Sequence, residues 1–182
     1  RQKNTYNTDK NFTYLFAWIP DRNTIVKITD DTIRRATITG DGLNAIVTDD
    51  TPYKPAFRQP AYDHYIINSS TGSRKLILRN FTSAYGSSPA GKYLIYFKDK
   101  NWWAYDIYKD SHMNLTKGIE TTFWNTRDDT PLDVKPPFGM GGWLKDDRAL
   151  FVYDEYDVWR INMDGSKPVR LTTGKENKTI FR

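Results

Sequence analysis

Two stretches of this chain, SSPAGKYLIYFKDKNWWAYDIYKDSHMNLTKG from Ser87 to Gly118 and WLKDDRALFVYDEYDVWRINMDGSKPVRLTTG from Trp143 to Gly174, align without a gap at an offset of 56 residues. The offset sets Leu94 on Leu150, Trp103 on Trp159 and Leu115-Thr116 on Leu171-Thr172, with Asp106 meeting the isosteric Asn162. A weaker copy precedes them in AYDHYIINSSTGSRKLILR. There Tyr65 takes the place of Trp103 at an offset of 38, Asn68 that of Asp106 and Ile77 that of Leu115. A fourth, YLFAWIPDRNTIVKITDD, needs a gap, and in it Tyr14-Leu15 echoes Tyr93-Leu94. Self-similarity of this kind is the mark of a repeat architecture.

Each copy has one physical plan. A polar turn, Pro89-Ala90-Gly91-Lys92 or Lys145-Asp146-Asp147-Arg148, opens a short strand that is apolar at nearly every position. Such a strand suits a sheet covered on both faces, because an alternating pattern would leave one face to water. A tight hairpin follows, then a strand that sets Trp103, Tyr105 and Ile107, or Trp159, Ile161 and Met163, on one face. A last strand ends in Leu-Thr. With a fourth strand drawn from the linking segment, the unit is a propeller blade. The expected fold is therefore all-β, a partial β-propeller of about three to four four-stranded antiparallel blades. The copies lie near 12–40, 43–80, 81–118 and 143–174, and residues 119–142 form an inserted loop punctuated by Pro131, Pro136 and Pro137. A β-sandwich would account for the strands but not for a repeated Trp and Leu-Thr at fixed offset.

Composition agrees. Of 182 residues, 15% are Phe, Trp or Tyr, which favours strands over helices. Hydrophobic residues at 38% and charged ones at 27% suit a globular domain, and no run approaches the ~18 apolar residues of a membrane-spanning helix. The absence of Cys excludes thiolate nucleophiles, disulfides and Cys-ligated zinc. A net charge of +5 is too modest to imply nucleic acid, and the aromatics recur at blade positions, as packing requires. The chain opens on Arg1 with no signal-like segment, and Thr179-Ile180-Phe181 reads as the opening of a further strand, so it looks cut from something longer.

The motifs SPAGKYLIYF, WAYDI and NLTKG resemble the blade signature of TolB-like and prolyl oligopeptidase-type propellers. More narrowly, DDTPLDVKPPFGMGGWLKDDRALFVYDEYDVWRINMDGSKPVRLTTG is similar to exported prolyl oligopeptidase-family serine peptidases of Bacteroidetes, over about Tyr62 to Arg182. The resemblance implies an N-terminal propeller that gates peptide substrates and docks on a C-terminal α/β-hydrolase domain, in the periplasm or at the cell surface. That hydrolase domain would carry a G-x-S-x-G nucleophile elbow. This sequence has none; Gly86-Ser87-Ser88-Pro89-Ala90 ends in Ala. No catalytic residue, cofactor or metal site is expected on this chain.

The remaining candidates divide. His64 and His112 have no second His or Cys at ligand spacing, and read as packed or solvated histidines. Asp146, Asp147, Asp154, Glu155 and Asp157 do not follow a calcium-loop order, and fit turn chemistry instead. The sequons at Asn11, Asn68, Asn80, Asn114 and Asn177 read mostly as structural. Trp124, Asp128, Asp129 and Phe138 are the candidates for a substrate or interdomain contact, because long ordered loops often carry function. Tyr65, Trp103, Trp159, Leu94, Leu150, Leu115 and Leu171 are the expected structural repeat. A TolB-like interaction scaffold is the alternative reading. A propeller acting on sugars is disfavoured, since no paired carboxylates stand out. An open arc of blades also leaves end faces bare, so self-association is expected.

Overall fold

Runs rich in Val, Ile, Tyr and Phe, bounded by Gly, Asp and Asn turns, give fourteen strands in the computed structural model, which describes residues 10–55, 59–132 and 134–182. Strands β1 (Phe16–Ile19) and β2 (Thr24–Lys27) form a two-stranded hairpin. Three four-stranded antiparallel meanders follow in chain order. The first holds β3 (Arg35–Ile38), β4 (Asn44–Asp49), β5 (Tyr62–Asn68) and β6 (Arg74–Phe81). The second holds β7 (Ala84–Ser87), β8 (Tyr93–Lys98), β9 (Asn101–Asp106) and β10 (Ser111–Asn114). The third holds β11 (Met140–Trp143), β12 (Ala149–Tyr153), β13 (Val158–Asn162) and β14 (Val169–Arg170). A single helical turn, α1 (Gly174–Asn177), comes last.

The sheets stack face to face, and the parity of the strands shows how. Ile46, Ile66 and Leu78 of the first sheet pack against Leu94, Tyr96 and Tyr105 of the second. The alternate residues of β8 and β9, Ile95, Phe97, Trp102 and Ala104, pack against Leu150, Val152 and Ile161 of the third. On its other side the first sheet sets Ala45, Val47 and Ile67 against Leu15, Ala17 and Val26 of the hairpin. Burial on both faces is why β4 and β8 are apolar at successive positions. Each fully buried Ile, Leu, Val or Phe contributes about 1.5–3 kcal/mol.

The offset of 56 survives as geometry. Leu94 pairs with Tyr105 as Leu150 pairs with Ile161, and Tyr96 with Trp103 as Val152 with Trp159. Tyr65, Trp103 and Trp159 all sit on the third strand of their sheet and face the preceding unit.

Several expectations are corrected. The opening strand of the first sheet is Arg35–Ile38, so that sheet begins before residue 43. The inserted loop ends in β11, which supplies Met140 to Gly142 as strand. The echo of Tyr93-Leu94 in Tyr14-Leu15 is one residue out of register. Leu15 and Ala17 face the following sheet, whereas Leu94 and Tyr96 face the preceding one. A one-residue slip exchanges the two faces of a strand. Thr179-Ile180-Phe181 is not a strand: the Phe181 amide bonds the Tyr156 carbonyl, folding the segment onto the β12–β13 turn.

Candidate functional site

The Leu-Thr of each repeat lies just past the fourth strand, and its threonine carries the structural role. Thr116 Oγ1 accepts from the Trp102 amide at 3.0 Å and donates to Asn101 Oδ1 at 3.0 Å. Thr172 Oγ1 does the same with the Val158 amide at 3.0 Å and Asp157 Oδ1 at 2.7 Å. Leu115 is half-buried against the core between the second and third sheets, whereas Leu171 is 47% exposed. The repeated tryptophans act similarly. Trp103 and Trp159 are half-buried, and each indole N–H reaches back five residues to its hairpin, to Lys98 O at 3.0 Å or Asp154 Oδ2 at 2.7 Å. The wholly buried indole is the neighbouring Trp102.

Asp157 and Asp154 are the most heavily hydrogen-bonded carboxylates among the described residues, and Asp157 is the more buried. It is 1% exposed and accepts from Thr172, from the Gly174 amide at 2.5 Å and from Arg170 Nε at 2.9 Å. Burial alone would raise its pKa, but these donors outweigh it and hold the carboxyl below its usual value. Asp154 Oδ1 accepts the Tyr156 and Asp157 amides, as turn chemistry demands. Among the described residues no group of three or more His, Asp or Glu converges on a metal position.

The inserted loop lies over the hairpins that join second to third strands. Trp124 pairs with Pro137, and Phe138 N bonds Phe123 O at 2.9 Å, so the loop is itself a short ladder. Phe123 is 2% exposed and meets the Trp159 ring edge to face, which anchors the loop in the core between the second and third sheets. Lys100, on the β8–β9 turn, stands over the Trp124 ring at 4.8 Å. On the other side Arg127 pairs with Glu155 at 2.9 Å, and Thr121 donates to Asp154 at 2.7 Å. The loop thus ties two neighbouring hairpins together.

The four loop candidates do not converge. Trp124 lines a recess of about 410 Å³ with Asp99, Lys100, Val134 and Lys135. Asp128 instead accepts from the amide and hydroxyl of Thr130, which makes it a turn residue. Asp129 is exposed, and Phe138 lies under the Arg182 guanidinium at 5.7 Å, away from that recess. Sequence reasoning missed Lys100, which lies in the preceding repeat and meets Trp124 only through the fold. A second, acidic recess of about 340 Å³ is framed by Glu120, Thr121, Asp154, Glu155 and Lys175.

His64 is buried, whereas His112 is exposed. His64 is 6% exposed, and its Nε2 lies 3.1 Å from Phe81 O, so that nitrogen carries the proton. Burial pushes its pKa below the usual histidine value, against the pull of Phe81 and Asp63. His112 Nδ1 lies 2.9 Å from the Tyr96 hydroxyl. Ser88, in the string nearest to a nucleophile elbow, is 1% exposed and donates to Asp147 at 2.5 Å. No histidine serves it as a base.

No known family model and no curated protein sequence matches the chain. Solved structures do. TolB from Acinetobacter baumannii matches 88% of this chain and 37% of its own at 17% identity, with a TM-score of 0.42. The tricorn protease matches 82% of this chain and 14% of its own at 14% identity and a TM-score of 0.47. An oligogalacturonate lyase in complex with manganese matches 87% and 46% at 13% identity and a TM-score of 0.44. The chain's own four-stranded antiparallel meanders, stacked face to face in chain order, make the fold a partial β-propeller. The chain spans less than half the length of each of these three proteins.

Proposed function

We propose that this chain is the non-catalytic propeller segment of an exported serine peptidase of the prolyl oligopeptidase family. In that role it limits substrate access and docks a hydrolase domain of the same polypeptide, outside the cytoplasm. The observation that carries the reading is the inserted loop. It is anchored by Phe123 and tied to two successive hairpins, and it presents Trp124 with Lys100 beside one hairpin and an acidic recess beside the other. A rigid, mixed polar and aromatic surface of this kind suits an interdomain contact. The sequence resemblance across the D-T-P loop and YDEYDVW supports the same parentage. A buried Ser88 engaged with Asp147 supports the chain's own lack of hydrolytic chemistry.

Two measurements test this. The chain should stay unlabelled by a fluorophosphonate probe under conditions that label a serine peptidase fully; stoichiometric labelling lost in Ser88→Ala overturns the non-catalytic reading. The gene downstream of the Arg182 codon should encode G-x-S-x-G followed by Asp and His. A stop codon, or further propeller repeats alone, overturns the peptidase parentage in favour of a TolB-like interaction scaffold.

A further inference from the structure

The first and second sheets meet closely at their middle strands and part at the edge formed by β3 and β7. Cross-strand pairing puts Arg35 beside Thr48, Thr48 beside His64, and Thr37 beside Ile46, in rows that face the second sheet. Opposite them β7 offers only the methyl of Ala84 and the bare backbone of Gly86, neither of which reaches across. A cleft of about 400 Å³ results. Its floor is apolar, made by Ile46 and Leu94, both nearly fully buried. Its mouth is cationic.

Arg35 decides what the cleft can hold. It is exposed and makes no hydrogen bond or ion pair among the described residues, so its guanidinium fork is available. Thr37 and Thr48 likewise have hydroxyls with no partner among the described residues. His64 stands in the wall with Nε2–H committed to Phe81 O, and adds shape but no charge. Asp31, Asp50 and Lys54 line the adjoining recess, where Lys54 pairs with Asp50 at 2.7 Å, and that recess shares Arg34, Arg35 and Thr48 with the cleft. Arg34 also lines the cleft, but its Nε donates to the Asp31 carbonyl at 3.2 Å, so the fork of Arg35 and the two hydroxyls are left to match a single planar carboxylate. The apolar floor then receives a short aliphatic stem.

We propose that the cleft between β3 and β7 is a binding site for a small aliphatic carboxylate, with Arg35 holding the carboxylate, Thr37 and Thr48 beside it, and the stem lying on Ile46 and Leu94. The site does not depend on the peptidase parentage proposed above.

The test is a titration of the isotopically labelled 182-residue chain with pentanoate at constant pH, read by nuclear magnetic resonance at the Thr48 amide and the His64 ring. Saturable shifts at both, with a Kd on the order of 1–10 mM, are the expected result. Arg35→Gln should weaken binding at least about tenfold with an unchanged circular dichroism spectrum. Ala84→Leu, which fills the cleft, should abolish the shifts while the chain stays folded. Pentanamide, which keeps the stem and loses the charge, should not bind. Flat Thr48 and His64 signals, equal binding by Arg35→Gln, or equal binding of pentanamide each overturn the proposal. Equal shifts with inorganic phosphate overturn the choice of carboxylate in favour of a general anion site.

Discussion

The junction between the second and third sheets and the one between the first and second join the same two kinds of face, yet only one is filled. At the second–third junction, Tyr93 stacks on Trp143 with 5° between ring planes and 6.1 Å between centroids. Tyr85 meets Trp102 edge to face at 5.0 Å, and Met140 packs beside them. The filling comes from the opening strand, since β11 carries Met140 and Trp143 on the face that meets the second sheet. At the first–second junction the opening strand β7 carries Ala84 and Gly86 instead, and the cleft stands there. The repeated middle strands bind the sheets together; the unrepeated opening strand decides whether a junction is closed or hollow.

The turns before the second strand repeat the contrast. Thr39, Ser88 and Leu144 hold one position, each donating its amide to the residue five further on. At the second–third junction Asp147 reaches across, accepting from Ser88 Oγ at 2.5 Å and from the Ala90 amide at 3.0 Å while itself only 2% exposed. At the first–second junction Asp41 accepts from the Tyr108 hydroxyl in a half-exposed setting. The turns also touch directly. A Cβ on Gly40 would lie 1.7 Å from the Pro89 carbonyl oxygen, so only glycine permits that approach.

The contrast can be broken most severely at Trp102. Trp102→Ala empties the centre of the filled junction and should cost about 3–5 kcal/mol in denaturant unfolding. A loss under about 1 kcal/mol would show that this junction is not the tighter one. Asp147→Ala should come next. It leaves the Ser88 hydroxyl and the Ala90 amide without their acceptor, at about 1–3 kcal/mol by the same measurement. Wild-type stability in that variant would mean water replaces the carboxylate freely. The smallest effect belongs to Asp41 and appears only in acid. Burial alone would raise its pKa, but Thr39, Tyr108 and the Leu43 amide outweigh it and hold the value down. A carboxyl whose pKa is lower folded than unfolded stabilises fully above its unfolded value of about 3.9, and that stability fades as the pH falls through the folded value. Stability should therefore decline below about pH 4, and Asp41→Asn should flatten part of that decline. Identical acid profiles for the two proteins would refute the role of Asp41.

The second and third sheets were legible because their sequences keep one register over a whole unit, including the turn, the hairpin and the closing Leu-Thr. The first sheet was harder to delimit. Its opening turn, Thr39-Gly40-Asp41-Gly42, matches Ser88-Pro89-Ala90-Gly91 in hydrogen bonding and in the left-handed glycine, with φ of 73° and 76°, but shares little composition with it. The fully buried Trp102 escaped notice for a simpler reason, since the repeat marks its neighbour Trp103 and sets Val158 at the place of Trp102. Both tryptophans are apolar, and which one a sheet buries depends on which neighbour lies on which side. The cleft was not legible at all. It depends on small residues in β7, where a register irregularity between Ala84 and Gly86 hides the alternation. Of the loop candidates, Trp124 was placed by composition alone, whereas its partner Lys100 comes from a turn of the preceding unit.

The placement of the second sheet between two neighbours bears on how this molecule comes apart. Opening it means breaking two junctions at once, whereas the hairpin β1–β2 and the third sheet each leave by breaking one. Where stability is a sum of nearest-neighbour terms, such a stack frays from its ends inward. Backbone amides of β8 and β9 would then exchange with solvent only through the rarest openings, and those of β1 and β2 through the commonest. The order of disassembly follows from position in the stack rather than from the strength of any single bond.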